Sequence, residues 1–287
     1  MINLFLITNQ PDVAAFAVAH GVTHLFVDLE VNGKQERQGH LDTLISKHSI
    51  ADVSLMRHAI EVANQQHGVK SELLVRINPW FEGSVREIEE VIEGGADWIM
   101  LPMYRTVDEV EKFCGCVAGR AKCMLLLETV AAYDCLAAVT QLPHVDMIHI
   151  GLNDLHLEMQ RDFMFELLAD GTVERMARII KTAGIPFGFG GIARVGEGLV
   201  SAEQILGEHI RLGSSAVILS RTFHRRSQCL DELKNNLDFG LEIEKLRKVE
   251  AIMSTWTSEE LIENQRMLVQ SVAQVVALLR NKREAAV

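Results

Sequence analysis

The chain has 287 residues, 48% hydrophobic and 23% charged, with a formal net charge of -11. That balance belongs to a folded globular protein long enough for one large domain plus an appendage. It supplies no general attraction to nucleic acid or to an anionic membrane surface, and no apolar run approaches the length of a membrane span. Cys114, Cys116, Cys123, Cys135 and Cys229 form an odd, unpatterned set, which argues against a disulfide framework and against a zinc site. The opening MINLFLITNQ lacks a basic leader and a small-residue cleavage pattern, so the expected location is cytoplasmic.

In chain order, short apolar runs alternate with amphipathic stretches, the pattern of parallel strands joined by helices. Residues 2–7 read as the first strand. Pro11 opens a helix to His20, Gly21 closes it, and residues 24–29 form the second strand. Its turn holds Glu30, Asn32, Gly33 and Lys34. Residues 33–50 are polar and irregular, after which Asp52 is expected to cap a helix with Val53, Met56, Ile60 and Ala63 at helical spacing.

Residues 72–77 are the third strand, 85–92 a helix closed by Gly94 and Gly95, and 98–101 the fourth strand, stopped by Pro102. A helix over 106–117 precedes strand five at 123–127. An apolar helix over 129–139 leads to strand six at 147–150, and two helical patterns follow, broken at Asp170-Gly171. Strand seven is expected at 186–189, running into Gly190-Gly191, then a helix at 202–212 and strand eight at 216–219. Eight strand-helix units predict a (β/α)8 TIM barrel over residues 1–239. Residues 240–287 carry no further strand and read as a C-terminal helical extension. Its stripe of Leu261, Leu268, Val272, Val275, Val276 and Leu279 must be covered by the barrel or by a neighbouring subunit, and the expectation is a homo-oligomer in which the extension lies against a neighbour.

Catalytic groups in such a barrel gather where strands end. The strand ends hold Asp28 and Glu30, Arg76 and Asn78, Glu128, and Gly151-Leu152-Asn153-Asp154. Glu128 and Asp154 suit Mg²⁺ or Mn²⁺, hard cations that commonly take one or two protein carboxylates. Helix capping by Asp154, and a favourable position of Glu128 at the start of the next helix, explain the same residues. Arg76, ending an inner strand, needs an anionic partner: a substrate carboxylate, or Asp28 or Glu30 within the protein. The glycines after strand seven could admit an anion or merely make a tight turn, and the latter is favoured. Arg221, His224, Arg225 and Arg226 could meet the phosphates of a thioester's nucleotide, but a solvated surface or a helix-proximal ion-pair set is the commoner meaning of such a cluster.

The order VDLE (27–30), VRIN (75–78), IMLPM (99–103), LLLET (125–129) and IGLNDL (150–155) resembles the HpcH/HpaI aldolase and citrate lyase beta-subunit superfamily over most of residues 20–225. The resemblance implies a Mg²⁺- or Mn²⁺-dependent carbon-carbon lyase. Glu128 and Asp154 would bind the cation, which would hold the oxygens of a pyruvate-like enolate or an acyl thioester, and Arg76 would contact substrate. Asp28, Glu30 and Arg76 are the expected catalytic residues; Arg76, Asn78, Gly151 and Asn153 are the expected substrate contacts. The expected substrate is a small 2-oxo or hydroxy (di)carboxylate or a related acyl thioester.

Two departures accompany the resemblance. Val31 stands where the aldolases have a histidine. The lyase-type DLED lacks its second aspartate, although Lys34 and Arg37 are kept. Glu30, a metal-bound hydroxide and His156 are the alternatives for the base, with His149 less attractive because strand alternation points it away from Ile150. A binding or scaffold subunit on the same barrel is the alternative function.

Overall fold

The computed structural model describes residues 1–32 and 48–284; Gly33, Lys34 and Arg37 lie outside them. Eight parallel strands close into a barrel in sequence order. They are β1 (Asn3–Ile7), β2 (His24–Asp28), β3 (Glu72–Arg76), β4 (Trp98–Leu101), β5 (Lys122–Leu127), β6 (Met147–Ile150), β7 (Phe187–Ile192) and β8 (Ala216–Leu219). Strand β8 returns to pair with β1, which removes both sheet edges.

The helices that cover the barrel are α1 (Pro11–Ala19), α2 (Ile50–His67), α3 (Ser84–Glu93), α4 (Val107–Val117), α5 (Val130–Asp134) and α6 (Leu136–Val139). They continue with α7 (Leu152–Glu158), α8 (Glu166–Ala169), α9 (Thr172–Thr182), α10 (Ala202–Leu212) and α11 (Leu230–Asn236). No helix among the described residues is long and apolar enough to cross a membrane.

Strand alternation divides the core in two. Phe5, Phe26, Leu74, Met100, Met124, Leu126 and Met147 fill the barrel interior. Their neighbours Leu4, Leu25, Val75, Ile99, Leu125 and Ile148 pack outward against the helices. Burial on both faces is why these strands read as nearly continuous apolar runs.

The amino-terminal floor of the barrel is polar. Glu72 accepts from Trp98 Nε1 at 2.9 Å and Lys122 Nζ at 3.0 Å, and His24 Nε2 lies 3.4 Å from it. His24 foremost, then Trp98 and Lys122, hold its carboxyl well below the usual carboxylate range against the opposing effect of burial.

Three local expectations are corrected. Ser49, not Asp52, is the N-cap of α2; Asp52 sits at the third helical position and accepts from the Ser49 amide at 2.7 Å, the reciprocal half of a capping box. The helix expected over 129–139 divides at Cys135 into α5 and α6. Strand β7 runs on through Gly190 and Gly191 to Ile192, with a register shift against β8 between Gly188 and Gly191. A bulge absorbs the extra residue, so the glycines belong to the strand rather than to a turn.

The extension consists of α12 (Phe239–Met253) and α13 (Ser258–Glu284). Helix α12 pins the start of the chain: the Ile2 amide donates to Glu250 Oε1 at 2.5 Å and Arg247 donates to the Ile2 carbonyl at 2.7 Å. Helix α13 buries Leu268, Val272, Val275 and Val276 and packs on α10 of its own barrel. Ile262, Met267, Val269 and Leu278 stay exposed. The two helices meet at Gly207, where a Cβ would lie 2.3 Å from Asn264 Nδ2, and Asn264 donates to the Gln204 carbonyl at 3.0 Å.

Gly207→Val is therefore expected to lift α13 from the barrel at a cost of about 1–3 kcal/mol. Limited proteolysis should then cut within 258–284 sooner than in the native chain. An unchanged cleavage pattern would show that the close approach is unnecessary.

Candidate active site

The carboxyl ends of the strands surround a cavity of about 470 Å³. Glu30, Arg76, Glu128, Gly151, Asn153 and Asp154 all line it, so residues spread over 125 positions of sequence share one space.

Arg76 is the best-defined element. Asp28 and Arg76 are register partners on β2 and β3, which places the two side chains side by side. Arg76 Nε and Nη2 donate to Asp28 Oδ1 and Oδ2, each at 2.9 Å, and Nη2 lies 3.3 Å from Glu30 Oε2. The guanidinium also sits 5.6 Å from the Phe26 ring centroid. Burial alone would lower its pKa; Asp28, Glu30 and more distantly Glu128 outweigh that and raise it. The charge is permanent, and Nη1 makes no hydrogen bond among the described residues. This is the edge available to an incoming carboxylate.

Asp28 itself is 1% exposed and is not part of the cavity wall. It holds Arg76, and its backbone amide donates to His48 Nδ1 at 2.9 Å. Asn78 is tied into the protein likewise. Its Oδ1 accepts from the amides of Val31 at 2.9 Å and Asn32 at 3.0 Å, and its Nδ2 donates to Glu87 at 2.7 Å. With both ends of the amide engaged, Asn78 ties down the chain leaving β2. Val31 is half exposed.

Glu128 follows β5 directly. Thr129 is the N-cap of α5, its hydroxyl accepting from the Ala132 amide and donating to the Tyr104 carbonyl. That leaves Glu128 outside the helix. Glu128 Oε1 accepts from the Met103 amide at 3.1 Å, a donor brought round by the left-handed conformation of Met103 (φ 54°). Gly151, the N-cap of α7, sits against the same carboxylate: a Cβ there would lie 2.8 Å from Glu128 Cβ and 2.9 Å from Oε2. Asp154 falls in the first turn of α7, which starts at Leu152, so it does not cap the helix.

Among the described residues no group of three or more His, Cys, Asp or Glu is arranged to hold a metal. A pair of carboxylates opening on one cavity is nonetheless a donor set for a hard cation that keeps most of its other positions for water and substrate.

The histidines divide differently from expectation. His156 is buried, with Nδ1 3.1 Å from the Leu152 carbonyl one turn earlier, and it is not part of the cavity wall. His149 has the parity of inward-facing Met147, and it lines the cavity. That parity was the signal available in sequence. Its Nε2 meets the Gly190 carbonyl at 3.2 Å, while Nδ1 has no partner among the described residues. Burial first, with the Arg76 charge assisting, depresses its pKa to about 4, so it is neutral at pH 7. Arg221 and Arg226 also line the cavity. Phe163, Met164, Phe165 and Leu199 line it as well, and no sequence motif marks them.

A histidine buried in its neutral form binds fewer protons folded than unfolded between pH 6.5 and 4, so its contribution is complete above the unfolded pKa and is lost as pH falls. The stability advantage of the native chain over His149→Asn should shrink by roughly 3 kcal/mol from pH 7 to pH 4, measured by urea unfolding. A constant difference would overturn the neutral assignment.

No protein-family model matches the sequence, and no curated protein is recognisably similar to it in sequence. Solved structures are similar in fold. An HpcH/HpaI aldolase from Desulfitobacterium hafniense superposes with a TM-score of 0.58 at 14% identity, covering 76% of this chain and 86% of the other. An HpcH/HpaI aldolase/citrate lyase family protein from Burkholderia cenocepacia gives 0.62 at 15%, covering 81% and 95%. Macrophomate synthase gives 0.56 at 14%, covering 77% of each chain. At these identities the likeness establishes a shared barrel architecture, the one seen in the HpcH/HpaI aldolase and citrate lyase proteins.

Proposed function

We propose that this chain is a divalent-cation-dependent carbon-carbon lyase or aldolase acting on a small 2-oxo or hydroxy (di)carboxylate, or on a related acyl thioester. The observation that carries the reading is the convergence of Glu30, Arg76, Glu128 and Asp154, from four strand ends, on one cavity. The shared architecture with HpcH/HpaI aldolases supports it.

Glu128 and Asp154 would hold Mg²⁺ or Mn²⁺, which supplies Lewis-acid stabilisation of the negative charge that develops on a substrate oxygen when the carbon-carbon bond breaks. Arg76, held on its Nε edge by Asp28, orients the substrate carboxylate. Glu30 is the carboxylate in reach of both Arg76 and the cavity, and it is assigned to proton movement in place of the histidine that Val31 replaces. Asn153 and the Gly151 backbone border the bound substrate. The apolar wall lowers the local dielectric, which strengthens each of these interactions. The five cysteines are free, in keeping with a cytoplasmic setting. The exposed apolar side chains of α13 support a homo-oligomer.

The reaction is tested by proton exchange at the pyruvate methyl group in D₂O. Exchange is expected with Mg²⁺, abolished by chelator, and reduced at least about 100-fold in Glu128→Gln, the scale of one electrostatic stabiliser. Metal-independent behaviour, or Glu128→Gln matching the native chain, would overturn the proposal. Gly151→Ala, which must displace Glu128, is expected to lose at least about tenfold in the same assay while remaining folded by circular dichroism; full activity would remove Glu128 from the site.

A further inference from the structure

The cavity has two unlike sides. In an eight-stranded barrel closed in sequence order, β2 and β3 stand across the mouth from β6 and β7. Glu30 and Arg76 therefore face the loops that follow β6 and β7. Beside Asn153 and Asp154, those loops bring Leu152, Phe163, Met164, Phe165, Leu199 and Val200 to the cavity, and none of these six side chains offers a conventional hydrogen bond.

This wall is built rather than incidental. Phe163 and Phe165 pack edge to face, with ring centroids 5.3 Å apart and planes at 90°, and each is only 8% exposed. Leu199, by contrast, is 72% exposed, an apolar side chain left in water at the rim. The turn that presents it depends on Gly198, at φ +106°, where a Cβ would fall 2.4 Å from the Val200 carbonyl oxygen. The volume, about 470 Å³, lies within the about 300–1,000 Å³ typical of pockets for drug-sized ligands. A three-carbon acid held at Arg76 leaves the apolar side unfilled.

Resting on the proposed reading of the site, we infer that the wall from Phe163 to Phe165 and Leu199 to Val200 receives a nonpolar substituent of the substrate. The substrate class is then a 2-oxo or hydroxy acid with an aliphatic or aromatic arm, rather than a short dicarboxylate. Arg221 and Arg226, from the loop after β8, also line the cavity; a second substrate carboxylate would seek them, and the inference requires that the apolar wall prevail.

Calorimetric titration of the full chain in Mg²⁺ with pyruvate, 2-oxobutanoate, 2-oxohexanoate, 2-oxooctanoate and 2-oxoadipate tests this. Affinity is expected to rise about threefold for each added methylene, with 2-oxohexanoate binding more tightly than 2-oxoadipate. Leu199→Asn, at an exposed position, and Met164→Gln should each cut the 2-oxooctanoate to pyruvate affinity ratio at least threefold. A flat series, a preference for 2-oxoadipate, or an unchanged ratio in both variants overturns the inference while pyruvate binding leaves the lyase reading in place. Failure of every acid to bind overturns both.

Discussion

A guanidinium inside the mouth of a barrel must have its charge answered within the protein or leave. Asp28 answers Arg76 with two hydrogen bonds at 2.9 Å and Glu30 with a longer contact, 3.3 Å, from the side. Pairing of this kind does not itself guarantee stability, because desolvating the ions costs much of what their attraction returns; removing one partner leaves a buried charge and costs about 3–5 kcal/mol. The consequence is geometric. Arg76 is held on one edge, Glu30 is drawn to the cavity wall, and Asn78 clamps the amides of Val31 and Asn32 just beyond. The chain leaving β2 is thereby fixed before any ligand arrives.

The other half of the mouth is positioned by backbone chemistry. The left-handed Met103 turns an amide toward Glu128, Thr129 starts the next helix one residue later, and Gly151 comes close enough that no side chain could stand in its place. Each device is small, of the order of a cap or a tight approach, yet together they set one carboxylate at the cavity without enclosing it. A cation bound there would reach its remaining partners in the substrate and water.

Both ends of the barrel are polar inside, and they are polar differently. At the floor, Glu72 is surrounded by Trp98, Lys122 and His24, so its charge is met within the protein. At the mouth, Glu128 and Asp154 open on a cavity that apolar side chains wall in part. This asymmetry is what the (β/α)8 architecture permits: charges at the amino-terminal face serve the fold, while charges at the carboxyl-terminal face are available to chemistry.

The sequence by itself determined the barrel, because strands buried on both faces must be apolar runs and helices over them must be amphipathic, and both periods survive without any knowledge of contacts. It also marked Glu30, Arg76, Glu128, Gly151, Asn153 and Asp154, since charged or turn residues at strand ends stand out against apolar neighbours. It could not decide which polar groups spend their capacity inside the protein. Asp28 and Asn78 stand at strand ends like the others, and only the structure gives their partners, Arg76 and Glu87 with the Val31 and Asn32 amides. His149 and His156 changed places for a related reason. Strand parity carries one into the barrel, and a bond to Leu152 turns the other back onto its own helix. The apolar wall, from Phe163 to Phe165 and at Leu199, was settled only in three dimensions, because loops have no period and their residues acquire a common face only when neighbouring strands bring them together.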